Sequence, residues 1–283
     1  MLSYIIGFVA IVIFFSNPIN QLLFPHQQSR TRLSPRPLLN ESLLALDNAN
    51  DTALECAPDA YSVRILRREP LVIYIENFLS EHERKHLLEI SEPLFESSTI
   101  TNDGHTTQRD TRVRDSSVAL IPRTPTVRCI EQRARALQGW RRDVWIERLR
   151  TQRYVTGGHY GHHFDWSTNA GGWGRVSSFM AWVDAAEGLE GGGTEFPLLK
   201  GRAEGEEEEE GGRWCEFVEC EKHEEEEGKD SGGTVFKVVP GNAVYWENFA
   251  PHGRGYDETW HAGLPVKKGV KVGLNIWSFG RIE

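Results

Sequence analysis

Cysteine is scarce in this 283-residue sequence: Cys56, Cys129, Cys215 and Cys220 are the only four. Cys215 and Cys220 form a Cys-x4-Cys pair, but no second pair of suitable spacing exists, which argues against a zinc site built on cysteine pairs. An even count permits two disulfides, and Cys215 with Cys220 is the nearest pair. Cys129 lies beside the apolar face of a predicted helix and reads as a packing residue. A concentrated basic face is missing too. Lys and Arg number 32 against 41 Asp and Glu, and the formal charge is −9. Residues 201–230 hold 14 of the acidic and 4 of the basic residues, a local net of −10 that leaves the remainder at +1. Nucleic acid is therefore excluded as the natural partner. The basic residues Arg141, Arg142, Arg148 and Arg150 read as a solvated helix or strand edge.

Long apolar runs are equally rare. Only residues 2–15 are almost wholly apolar, and at about 1.5 Å per residue this run is short for a bilayer core of about 30 Å. Extension to Phe24 gives enough length, but Asn17 and Pro18 interrupt it. No small-x-small cleavage site stands out, so residues 1–24 read as a signal anchor ahead of a cleaved signal peptide. The flanking charges and the glycosylation signals disagree about orientation. No Lys or Arg precedes the run while Arg30, Arg32 and Arg36 follow it, which points the bulk toward the cytosol. Asn40-Glu-Ser42 and Asn50-Asp-Thr52 are sequons, which point toward the lumen.

Residues 25–62, rich in Pro, Ser, Asn and Arg, read as a stalk with few tertiary contacts, and the folded domain as 63–283. Residues 71–75 form a strand candidate. Ser80 and Glu83 have capping-box spacing ahead of Leu87, Leu88 and Ile90, which predicts a helix over 81–92. A second helix is predicted over 125–137, with Val127, Ile130, Ala134 and Leu137 on one face. Short strand candidates then follow at 147–154, 159–166, 175–183, 194–196, 235–238, 243–246, 259–264 and 270–277. Eight such strands with Gly- and Pro-marked turns suggest a sandwich or jelly roll, with the helices on its outer side. The acidic insert at 201–233 lies between strand candidates and reads as a mobile, solvated loop.

Within that strand-rich region, His163 and Asp165 form a His-x-Asp pair, and on an extended strand both side chains point the same way. His261, in a later strand candidate, could supply a third ligand. Two histidines and a carboxylate leave open coordination positions, the arrangement suited to non-haem Fe(II) and oxygen. On the last strand, alternation puts Val270, Val272, Leu274 and Ile276 on one face and Lys271, Gly273, Asn275 and Trp277 on the other. Lys271 follows His261 by ten residues, with Lys267-Lys268-Gly269 as a turn, so a hairpin is expected to bring a cation near the metal. His162 should face away from His163. His159 and His252 fail the spacing, with His252 the alternative ligand. Trp182 and Trp277 are expected to shape the barrel.

The run Tyr154-x-x-Gly157-x-x-Tyr160-x-x-His163-x-Asp165, with Gly192-Gly193-Thr194-Glu195-Phe196-Pro197, Pro240 to Trp246, His261 to Val266, Lys271 and Trp277, resembles the prolyl 4-hydroxylase branch of the Fe(II)/2-oxoglutarate dioxygenases. The resemblance spans roughly 70–280. It implies an α+β fold, a double-stranded β-helix (jelly roll) with flanking helices, here preceded by a membrane anchor and stalk. It implies that His163, Asp165 and His261 bind Fe(II). The distal carboxylate of 2-oxoglutarate would pair with Lys271 and accept hydrogen bonds from Tyr154 and Thr194, because a carboxylate taken out of water needs a cation and donors. It further implies O2 as cosubstrate, L-ascorbate as a helper, and a proline-containing peptide or protein as substrate, hydroxylated with release of succinate and CO2. A lumenal domain in the endoplasmic reticulum or secretory pathway also follows from it. Arg114-Asp-Ser116 faintly resembles the family's Arg-x-Ser stretch. Two other readings stand beside this one: an oxygenase acting on another side chain or a small molecule, and a catalytically silent peptide-binding subunit.

Overall fold

Alternating apolar and polar residues dominate the chain after residue 60, and the result is a β-rich fold. The computed structural model describes residues 35–47, 53–101, 107–167, 171–200, 214–220 and 233–282. In chain order the strands are β1 (Ser62–Arg68), β2 (Leu71–Glu76), β3 (Glu96–Ser97), β4 (Ile100–Thr101), β5 (Thr107–Gln108), β6 (Arg114–Asp115), β7 (Ser117–Leu120), β8 (Val144–Ile146) and β9 (Arg150–Tyr154). They continue as β10 (His159–His163), β11 (Trp173–Ala185), β12 (Glu190–Gly191), β13 (Thr194–Phe196), β14 (Thr234–Phe236), β15 (Ala243–Glu247), β16 (His261–Gly263), β17 (Val266–Lys268) and β18 (Lys271–Arg281). The larger sheet runs β1-β2-β15-β11-β18-β9-β7-β3, with β8 also on β18, and the smaller runs β14-β13-β16-β10-β6. The central pairs of both are antiparallel.

Side-chain alternation on the larger sheet builds two cores. Phe179, Ala181, Ala243, Tyr245, Val272, Leu274 and Ile276 meet Leu87 of α1 (Glu81–Ser91) and Val127, Ile130 and Ala134 of α2 (Pro125–Leu137). Met180, Trp182, Val244 and Trp246 point the other way, toward Phe196 and Phe236 of the smaller sheet. The helices thus cover one face, and the two sheets enclose the second core. Both helices follow the sequence cues. Ser80 accepts from the Glu83 amide while the Glu83 carboxylate returns to the Ser80 backbone, a complete capping box. Thr124 caps α2, and Pro125, whose φ suits a first turn, opens it.

Several expectations need correction. Part of the presumed stalk packs on the domain: Leu44 is buried and bridges Glu147, and Asp47 pairs with Arg123. Cys129 is not a free packing residue but is joined to Cys56. Cys215 and Cys220 are also joined, and the turn between them is not a solvated loop. Phe217 there is buried against Tyr74, with ring centroids 4.5 Å apart, and Val218 bridges Phe236. The apolar pair Phe217–Val218 inside an acidic insert is what docks it. The rest of 201–233 lies outside the described residues, apart from Gly233, as does the presumed anchor at 1–24. Among the described residues no helix is long and apolar enough to cross a membrane.

Candidate metal centre

His163 ends β10 opposite His261, the first residue of β16, so the two imidazoles become neighbours by cross-strand register. The expected strand over 159–166 stops at His163. Asp165 lies just beyond it on a bend, and still turns its carboxylate to both rings. Its oxygens stand 3.7 Å from His163 Nε2 and 4.0 Å from His261 Nε2. Among the described residues this is the one group of three or more His, Cys, Asp or Glu whose ligand atoms converge, all within 4.8 Å.

The orientation of each ring suits a metal. His163 Nδ1 lies 2.9 Å from the Gly161 carbonyl and His261 Nδ1 lies 2.8 Å from the Thr259 carbonyl. A carbonyl only accepts, so both Nδ1 atoms carry the proton and both Nε2 lone pairs face the centre. Burial, with the neighbouring His261 adding to it, holds His163 below the usual imidazole range and keeps it neutral. Burial pushes the Asp165 carboxyl up, but His261, His163, Arg175 and the Ser178 hydroxyl together hold it below its ordinary value. Two imidazoles and a carboxylate are the ligand set that Fe(II) takes. Phe196 stacks on His261 at 5.3 Å, and Trp246 meets it edge-on at 5.0 Å, which fixes the ring and excludes water.

The cavity beside the triad is lined by Gln152, Tyr154, Tyr160, Met180, Thr194, Trp246, Gly263, Lys271 and Asn275 together with the three ligands. Lys271 is 1% exposed, and its Nζ donates to the Gly192 carbonyl. Gly192 has φ +76°, and a Cβ there would stand 3.2 Å from Lys271 Cδ, so a glycine is needed for the lysine to pass. Burial alone pulls Lys271 down to about 7. Among the described residues no carboxylate is paired with it. Such a cation calls for an anionic ligand, and the distal carboxylate of a keto-dicarboxylic acid meets that need.

Lys271 does not reach the triad by a hairpin from His261. β16 belongs to the smaller sheet and β18 to the larger, and the two residues approach across the sandwich. Tyr154 is the register partner of Lys271, with the ammonium 4.7 Å from its ring centroid. Its hydroxyl is held by Arg114 and Ser116, and burial pushes that hydroxyl up. Thr194 is buried in the cavity wall opposite Gly263. His162 is exposed and bonded to Glu195 at 2.7 Å, His159 bonds the Gly157 and Arg112 carbonyls, and His252 is exposed in a turn outside the triad.

Gln152, Trp246 and Met180 of the cavity wall were not among the expected site residues, Asn275 was expected only on the strand face of Lys271, and Arg114 stood outside the site. Arg114 lies 4.5 Å over the Tyr160 ring because β6 pairs with β10. Period-two alternation from Tyr154 and Lys271 was the available signal for Gln152 and Asn275. A larger cleft lies among residues 55–60 and the N-termini of α1 and α2. Its Arg133 is already paired with Glu83 and Asp59, and it holds none of the triad.

No family model matches the chain. Among curated proteins it is 29% identical over 227 residues to probable prolyl 4-hydroxylase 10 of Arabidopsis thaliana, covering 76% of this chain and 71% of that one. It is 25% identical over 221 residues to the prolyl 4-hydroxylase subunit alpha-3 of Homo sapiens, spanning 75% of this chain but 34% of the subunit. Among solved structures it is similar to the viral collagen prolyl hydroxylase of Paramecium bursaria Chlorella virus-1 in complex with 2-oxoglutarate. That likeness has a TM-score of 0.50 and 22% identity, covers 74% of this chain and 96% of the other, and speaks to the fold.

Proposed function

We propose that this chain, a 2-oxoglutarate-dependent dioxygenase similar to the prolyl 4-hydroxylases, hydroxylates proline within a peptide or protein, consuming 2-oxoglutarate and O2 and releasing succinate and CO2. One observation carries the reading: a converging His163–Asp165–His261 set shares a cavity with the buried Lys271, with which no carboxylate among the described residues pairs. Iron(II), when bound, supplies the redox chemistry that activates dioxygen. The protein's part is positional. His163 and His261 present Nε2, fixed by their Nδ1–H bonds to backbone carbonyls. Asp165 supplies the anionic ligand and is steadied by Ser178. Lys271, with Tyr154 and Thr194 beside it, receives the far carboxylate of 2-oxoglutarate, while Phe196 and Trp246 keep water from the ring of His261.

The test is succinate release from 2-oxoglutarate, with Fe(II) and ascorbate supplied, in the presence of proline-rich peptides. Peptide-stimulated release with a mass gain of one oxygen on proline is expected. If a small metabolite stimulates turnover and no peptide does, the proline reading is wrong; if nothing does, the chain is a silent binding subunit.

The same reading puts the domain in the lumen of the secretory pathway, held by the apolar N-terminal segment. The disulfides Cys56–Cys129 and Cys215–Cys220 support it, since such bonds persist in oxidising compartments. Glycan at Asn40 in expressed full-length chain is the expected result. An unglycosylated chain with four free thiols would overturn it.

A further inference from the structure

Gln152 is a buried donor that the ligand set above does not use. It lies on β9 two residues before Tyr154, and so on the same face. Its register partner on β18 is Gly273, two residues along from Lys271. Gln152 is 1% exposed and lines the cavity, yet its Nε2 has no hydrogen-bond partner among the described residues. Gly273 offers no side chain to answer it, and Met180 Cε fills the space above, 2.3 Å from where a Cβ would stand. An apolar side chain would satisfy such surroundings better, because an unpaired buried amide is destabilising. Trp246 Nε1, on another wall of the same cavity, is a second buried donor without a partner among the described residues.

The register also fixes where Gln152 stands. Along β18 the inward residues run Lys271, Gly273, Asn275, Trp277, and Trp277 pairs with Ser178, which bonds Asp165. Gln152, opposite Gly273, therefore lies between the Lys271 end of the cavity and the metal ligands. A wall with unpaired donors at this point suits a ligand rich in acceptor oxygens. We propose that Gln152 Nε2 donates a hydrogen bond to a carboxylate oxygen of bound 2-oxoglutarate, acting as a second fixed donor two register pairs along the sheet from Lys271. This inference rests on the 2-oxoglutarate reading above.

The experiment is titration calorimetry of the full chain loaded with Co(II), using 2-oxoglutarate and its unreactive analogue N-oxalylglycine, so that no turnover enters. Gln152→Met keeps the volume and removes the donor, and both ligands are expected to bind roughly 10- to 100-fold more weakly, with Co(II) affinity unchanged. Gln152→Glu sets a carboxylate against the ligand and is expected to abolish binding; it carries the test if Gln152→Met does not fold. Wild-type affinity in both variants, with binding lost in Lys271→Ala, would overturn the role of Gln152 while leaving the cosubstrate reading intact. Failure of the wild-type chain to bind either ligand would overturn both.

Discussion

Lys271 sets the strongest expectation at the scale of single residues. A cation that burial pulls down to about 7 is charged below that pH and neutral above it. A carboxylate ligand favours the charged form, so binding above pH 7 must take up a proton. Affinity for 2-oxoglutarate should therefore fall as pH rises past about 7, by up to about tenfold per unit. Calorimetry in buffers of different ionisation enthalpy reads that proton directly; pH-independent binding between 6 and 9 would rule it out. Lys271→Ala leaves the ligand's carboxylate buried without its cation and should weaken binding by about 100-fold or more, while metal affinity holds. Replacing His163, Asp165 or His261 by Ala leaves two ligands, and iron-dependent turnover should vanish. Full activity in His261→Ala would remove the triad as drawn.

Among the elements, α1 and the clipped turn at 214–219 differ in what holds them. The Ser80 cap satisfies an amide at the start of α1, and Ser80→Ala should cost about 1 kcal/mol in chemical denaturation. The turn is held by burial instead. Phe217 is 6% exposed, wedged against Tyr74 and Trp214, and Phe217→Ala should cost about 3 kcal/mol. An unchanged unfolding midpoint would mean that the turn is not docked in solution. The same contrast explains what could be read in advance. A capping box and a proline at N1 are local signals, and both helices begin where those signals stand. Phe217 gives no local signal, because two aromatics three residues apart in an acidic run set up no sustained period, and its partner Tyr74 is 143 residues away.

For the whole molecule, the disulfide between Cys56 and Cys129 closes a loop with a separation of 73 residues. Constraining the unfolded chain over that span is worth about 2–4 kcal/mol. Cys56→Ser should lower stability by that amount and loosen residues 53–60 from α2, readable as faster amide exchange there. The bond also ties the segment expected as a free stalk to the body that carries the cavity.

By itself the sequence determined the parts whose physics is local or periodic. These are the two helices, most of the longer strands, the shared strand face of Lys271, Gly273, Asn275 and Trp277, and the motif residues His163, Asp165 and His261. Only the tertiary structure decided which of these meet. Antiparallel register across β10 and β16 sets the two histidines face to face, and stacking of the two sheets brings Lys271 toward them where a hairpin was expected. The pairing of Cys129 and the orphaned amide of Gln152 belong to the same class. Each depends on a neighbour far away in the chain, and period and spacing carry no information about that neighbour.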